Sequence, residues 1–200
     1  MNFLFGHPLW VLDNLLSQEK IDSLMGEIYR DMDYGFERPD VNCNCKTSIH
    51  REDNIHYPID EFKRAYEQFS SEINLTCHEY YISCPWYNHY HIGTGQEPHV
   101  HVGSGPNYAL FSAVYFVQGC EDKELIFMNP SQSHLYYAKI LDQFVRDGEI
   151  QHSSFFGSHW FKPKDNQLII FPSTLEHYVP YQKQSEPRTT ISFNIRTGDD

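Results

Sequence analysis

The chain has 200 residues, 40% hydrophobic and 16% aromatic, with a formal net charge of −12. That length suffices for one domain that buries about 70% of its unfolded surface around a dry pocket. The acidic balance argues against a duplex nucleic-acid surface, which needs Lys and Arg to displace counterions, and no apolar run is long enough to span a bilayer.

The opening MNFLFGHPLWVLDNLL has no basic start and is interrupted by Asp13, so it reads as a first strand and turn and not as a signal peptide. The odd number of cysteines, 5 in all and irregularly spaced, points to reduced thiols and a cytoplasmic setting. Cys43 and Cys45 stand too close together for common zinc spacing. A first helix starts at the N-cap Ser17, carries the apolar stripe Ile21, Leu24, Met25, Ile28 and Met32, and stops by Gly35. A polar loop follows to about residue 57. Pro58 then opens a second helix with the stripe Ile59, Phe62, Tyr66, Phe69 and Ile73. Both helices have polar opposite faces and are expected on the outside of a larger body.

From residue 79 the pattern becomes that of strands: EYYISCPWYNHYHI, YALFSAVYFVQ, ELIFMN, HWFKP, QLIIF and TTISFNI, separated by Gly, Pro, Asn and Asp. About eight strands of this kind predict a mainly β sandwich or barrel with the two helices packed on one side. The stretch 131–157 fits either a helix or a lid. With no linker or repeat, the expectation is a single domain, 1–200, made of a helical N-terminal region (1–78) and a β core (79–196).

The chemistry concentrates in Gly93-Thr-Gly-Gln-Glu-Pro-His99-Val-His101 and in a later His177, in Phe171-Pro-Ser-Thr-Leu-Glu-His177. Residues two apart on a strand share a face, so His99 and His101 can reach one ion together, and neutral imidazoles bind Fe, Zn, Cu and Ni. The same pair also fits an exposed polar strand face, and His89 and His91 make a second such pair. Eleven residues after His177, Arg188 opens a strand on which Arg188, Thr190, Ser192 and Asn194 share one face and Thr189, Ile191 and Phe193 the other. A buried guanidinium needs an anion. Either a bound carboxylate or a protein acid such as Glu97, Asp165 or Glu176 answers that need.

With these residues in place the chain resembles the 2-oxoglutarate- and Fe(II)-dependent oxygenases, whose signature is His-x-Asp/Glu, a distal His, and an Arg about ten residues on. The resemblance spans roughly residues 80–196, and the segment is similar to a bacterial and phage subgroup with His-x-His in place of His-x-Asp. It implies a double-stranded β-helix (jelly roll) with the two N-terminal helices packed against one sheet. It also implies His99, His101 and His177 as metal ligands, and Fe(II), 2-oxoglutarate and O2 as cofactor and co-substrates. Arg188 would bind the far carboxylate of 2-oxoglutarate, assisted by Thr190 and by Tyr115, which equally fits an ordinary packed strand aromatic. The implied activity is hydroxylation of a small molecule or peptide, in the host cytoplasm if the chain is phage-encoded. His101 departs from the family's carboxylate, and Glu97 stands two residues before His99 as another candidate for that role.

Two other readings fit some of the pattern. A three-histidine cupin dioxygenase or isomerase shares the His-x-His segment but lacks the following glutamate and has no use for Arg188. A metal-free jelly roll acting as a binding module needs none of the histidines. Trp86, Tyr87, His89, Tyr108 and Trp160 are candidates for the pocket mouth and, equally, for the core.

Overall fold

The computed structural model describes residues 2–32, 44–49, 53–75, 79–101, 109–130 and 157–197. The predicted segment 131–157 lies almost wholly outside them, as do Cys43, Cys77 and Tyr108.

In chain order the elements are β1 (Asn2–Leu4), β2 (His7–Asp13), α1 (Gln18–Met32), β3 (Lys46–Thr47), α2 (Ile59–Glu72), β4 (Tyr80–Ile82), β5 (Trp86–Tyr90) and β6 (Gln96–His99). They continue with β7 (Ala109–Gln118), β8 (Leu125–Met128), β9 (Ser158–Phe161), β10 (Gln167–Pro172), β11 (His177–Val179) and β12 (Arg188–Thr197). Among the described residues the strands form two antiparallel sheets. The major one has the order β1-β2-β10-β7-β12-β5-β3, with β4 also on β12, and the minor one is β6-β11-β8-β9.

The helices form for the reasons their stripes imply. In α1 the buried residues are Ile21, Leu24, Met25, Ile28 and Met32, and in α2 Phe62, Ala65, Tyr66 and Phe69. The Ser17 hydroxyl accepts from the Lys20 amide at 3.4 Å, at the start of α1. Both helices cover one face of the major sheet, where Phe62 stacks on Phe193 with ring centroids 4.4 Å apart. The opposite face of that sheet packs on the minor sheet through Val114, Phe116, Phe127, Ile169 and Phe171. Three layers result, helices on sheet on sheet, and the space between the sheets is the jelly-roll interior.

The N-terminal region is less purely helical than its sequence suggests. Phe5 and Gly6 both have positive φ, 53° and 83°, which turns β1 back onto β2 with the twist a short hairpin prefers. β2 then pairs with β10, setting Asp13 opposite Gln167, and β3 pairs with β5. Residues before 79 therefore supply strands to the main sheet as well as the helical layer. Among the described residues no helix is long and apolar enough to cross a membrane.

Candidate active site

Three chain segments deliver histidines to one end of the interior. β6 is an edge strand of the minor sheet, where Pro98 removes no needed ladder donor, and it ends at His99. The chain continues to His101, whose backbone N–H donates to the Ser173 carbonyl at 3.0 Å. After β10 a tight turn, with the Leu175 amide donating to the Pro172 carbonyl at 2.9 Å, carries the chain across to the minor sheet and His177. His177 and His99 are direct cross-strand partners.

The rings converge. Centroid separations are 4.4 Å for His99 and His177, 5.0 Å for His99 and His101, and 5.2 Å for His101 and His177. One ligand nitrogen from each lies within 4.8 Å of the others. The His99 Nδ1 sits 2.8 Å from the Glu97 carbonyl and the His177 Nδ1 2.9 Å from that of Leu175. A carbonyl can only accept, so each Nδ1 carries the proton and each Nε2 keeps its lone pair for an ion. Burial among Phe127, Phe171 and Trp86 also keeps the cluster neutral. Desolvation lowers the His99 pKa, pushes His101 down to about 4, and takes His177 well below its ordinary value, with the neighbouring imidazoles adding to the effect on His101 and His177.

Glu97 does not join this cluster. Its side chain is exposed, and its role is played by its backbone carbonyl, which orients His99. The ligand-capable group among the described residues consists of the three imidazoles alone.

Arg188 begins β12 and is 1% exposed. It lines the same cleft as His99, His101 and His177, together with Trp86, Tyr90 and Thr190. Its placement depends on Gly119, at the end of β7, which has a φ of +67° and lies so near the Pro187 carbonyl that a Cβ would come within 2.1 Å of that oxygen. The guanidinium packs against the rings of Tyr90 and Phe116, 5.5 and 5.3 Å from their centroids. Its Nη1 donates to the Lys123 and Glu124 carbonyls at 3.2 and 3.0 Å, and its buried Nε has no hydrogen-bond partner among the described residues.

None of the candidate acids neutralises this cation. Asp165 is committed to the amides of Gly119 and Cys120, at 3.0 and 2.6 Å. Glu97 and Glu176 have exposed side chains, and among the described residues Arg188 forms no ion pair. A lone buried charge costs several kcal/mol unless an anion meets it, so the cleft has a charge deficit that a small dianion would fill.

The β12 alternation holds. Thr190 and Ser192 line the cleft beside Arg188, while Ile191 and Phe193 belong to the helix-covered core. Tyr115 falls on the wrong side for the role the resemblance implies. Its ring packs against Phe62 of α2, and its hydroxyl donates to Asn166 Oδ1 at 2.9 Å. Among the described residues the cleft-facing tyrosine is Tyr90, whose hydroxyl donates to Gln96 Oε1 at 3.0 Å. Of the candidate mouth residues, Trp86 lines the cleft and stacks on His101 with centroids 5.8 Å apart. Tyr87 is core and bonds Asp31, and His89 faces Thr189 and Tyr29. Trp160 is exposed on β9, away from the cleft lining.

Two antiparallel sheets wrapped around a neutral three-imidazole cluster, with a buried arginine in the same cleft that has no ion-pair partner among the described residues, define a jelly-roll protein fitted to hold a divalent metal and an anionic ligand together. The family described as "Putative 2OG-Fe(II) oxygenase" matches residues 84–194, more than half of the chain, and the chain belongs to that family. It is therefore a 2-oxoglutarate- and Fe(II)-dependent oxygenase by family. No protein of curated function matches the sequence. Among solved structures it is similar to the viral collagen prolyl hydroxylase vCPH from Paramecium Bursaria Chlorella virus-1 in its 2-oxoglutarate complex, at 14% identity, TM-score 0.61, covering 95% of this chain and 96% of that one. It is also similar to a Pseudomonas putida prolyl-4-hydroxylase at 14% identity and TM-score 0.59, with 96% and 94% covered. HygX from Streptomyces hygroscopicus, with nickel and 2-oxoglutarate bound, gives 11% identity and TM-score 0.54, with 96% and 83% covered. At such identities the likeness is one of fold.

Proposed function

We propose that this chain hydroxylates a small molecule or peptide, with His99, His101 and His177 holding Fe(II) and Arg188 holding the distal carboxylate of 2-oxoglutarate. The observation that carries the reading is the shared cleft: three imidazoles with free Nε2 or equivalent lone pairs, and a buried guanidinium that no acid among the described residues meets. A metal-free binding module has no need of either, and a cupin has no need of the second.

The residues fit the absent groups by chemistry. Three neutral nitrogens suit a divalent iron, and the planar fork of Arg188 suits a carboxylate. Bound there, Fe(II), 2-oxoglutarate and O2 supply the oxidation of a substrate C–H bond. The protein's own contribution is positional. Arg188 binds through donors it does not spend on Lys123 and Glu124, Thr190 adds a hydroxyl from the same strand face, and Tyr90 forms the wall behind the guanidinium. Val114, Leu125 and Val179 keep water out of the cleft, and the stacked Trp86 borders the His101 side, where a substrate would approach.

Anaerobic calorimetry of the purified chain with Fe(II) and then 2-oxoglutarate tests this reading. Co-substrate binding that requires metal, followed in air by succinate formation, is the expected result. Metal binding with no affinity for 2-oxoglutarate would favour the cupin chemistry instead.

A further inference from the structure

β6 carries a register fault beside the histidine cluster. Its ladder with β11 pairs His99 with His177 and Gln96 with Val179, so three steps on one strand answer two on the other. In a regular strand, residues three apart point to opposite faces. Here the extra residue lets both Gln96 and His99 line the cleft, while Glu97 and Pro98 between them are exposed. A bulge re-aims a side chain, and this one turns Gln96 inward.

The chain around Gln96 holds that bulge in place. Gly95 lies so close to β11 that a Cβ would come within 2.7 Å of the Val179 carbonyl. Its amide donates to Asn44 Oδ1 at 2.8 Å, and the Gln182 amide donates to the Thr94 carbonyl at 2.8 Å. The Gln96 side chain is fixed at its tip as well. Its Oε1 accepts from the Tyr90 hydroxyl at 3.0 Å, a bond that joins the minor sheet to the major one. The Nε2 of the same amide carries two protons and has no hydrogen-bond partner among the described residues.

Tyr90 is the cross-strand partner of Arg188, and the guanidinium lies against its ring. Gln96 is thus one ladder step from His99 and one hydrogen bond from the ring that backs Arg188. A carboxylate offers about four acceptor sites, and a guanidinium fork fills two of them. A neutral amide on the facing sheet can fill a third without adding charge to the cleft.

We propose that Gln96 donates through Nε2 to the distal carboxylate of 2-oxoglutarate, from the sheet opposite Arg188. The inference rests on the reading of Arg188 as the partner of that carboxylate. Tyr90 then serves as the positioning residue for the amide. By donating to Oε1 it leaves the N–H groups, and not the oxygen, for the cleft. An amide turned the other way would set an acceptor against the carboxylate and repel it.

Titration of the Co(II)-loaded chain with two probes, followed in the visible absorption of the metal, tests this. One probe is 2-oxoglutarate. The other is 2-oxopentanoate, of equal carbon number but with a methyl group in place of the distal carboxylate. Gln96→Leu should weaken 2-oxoglutarate binding by about 10- to 100-fold, the range for one hydrogen bond to a charged group. It should leave 2-oxopentanoate binding unchanged. Gln96→Glu keeps an acceptor for Tyr90 but sets a carboxylate where the donor stood, so its loss should be at least as large. That variant also keeps the test open if the leucine variant does not fold. Full 2-oxoglutarate affinity in either variant would overturn the inference, and so would an equal loss with both probes. Wild-type protein that binds Co(II) yet shows no preference for 2-oxoglutarate over 2-oxopentanoate would instead overturn the assignment of Arg188 beneath it.

Discussion

His99 and His177, 78 positions apart in sequence, face each other as cross-strand partners of β6 and β11 with ring centroids 4.4 Å apart. Each holds its Nδ1 proton against a backbone carbonyl two residues back in its own strand or turn. The two segments thus present matching nitrogens across one ladder. His177→Ala should strip the metal, with a loss larger than the roughly 10- to 100-fold typical of a residue that only orients a ligand. Elemental analysis of the purified variant checks it, and wild-type iron content would remove His177 from the ligand set.

Arg188→Leu should abolish 2-oxoglutarate binding while sparing metal. Because the wild-type guanidinium is buried with no acid partner among the described residues, replacing it with an apolar side chain should leave the thermal midpoint of the metal-free protein unchanged or raised. Calorimetry and thermal unfolding on the same sample separate the two effects. Arg188→Lys should not restore co-substrate affinity, since an ammonium lacks the planar fork.

Tyr90→Phe and Tyr115→Phe should differ in effect. The first alters the cleft wall and should weaken 2-oxoglutarate binding. The second breaks the bond to Asn166 beneath α2 and should cost about 0.5–1.5 kcal/mol of stability with co-substrate affinity intact. Equal effects on binding would return Tyr115 to the site.

His89 gives a pH dependence independent of the metal. Burial between β12 and Tyr29 lowers its pKa from 6.5 to about 4, chiefly by desolvation, so the unfolded chain binds this proton first as pH falls. Its contribution to stability is whole above about pH 6.5 and shrinks as pH falls toward 4. In thermal unfolding of metal-free samples, wild type should lose stability relative to His89→Gln across that window. A constant difference would show that His89 titrates normally.

Much of the site was legible because β12 alternates cleanly. Its Arg188, Thr190 and Ser192 face the cleft, while Ile191 and Phe193 face the helices, so parity alone assigns the faces. The stripes of α1 and α2 were legible for a similar reason, each having a solvent side to contrast with. Tyr115 was not, because β7 is buried on both faces from Phe111 to Val117 and offers no polar and apolar alternation to read. Tyr90 was hidden by the same effect in β5, where Trp86 to Tyr90 are all buried. The orienting role at Glu97 lies in a backbone carbonyl, which any residue type supplies, so the visible carboxylate pointed to the wrong atom.

The position of β12 has a consequence for how the protein is made. Its partners β4, β5 and β7 all precede it in the chain, and β2 likewise waits for β10, to which Asp13 and Gln167 tie it across 154 positions. During synthesis the earlier strands therefore stand with open edges until β12 leaves the ribosome. Contacts so distant in sequence make for slow closure, and unpaired edges in the meantime invite association between chains. Truncation within β12 should consequently yield aggregated material in place of a smaller folded core.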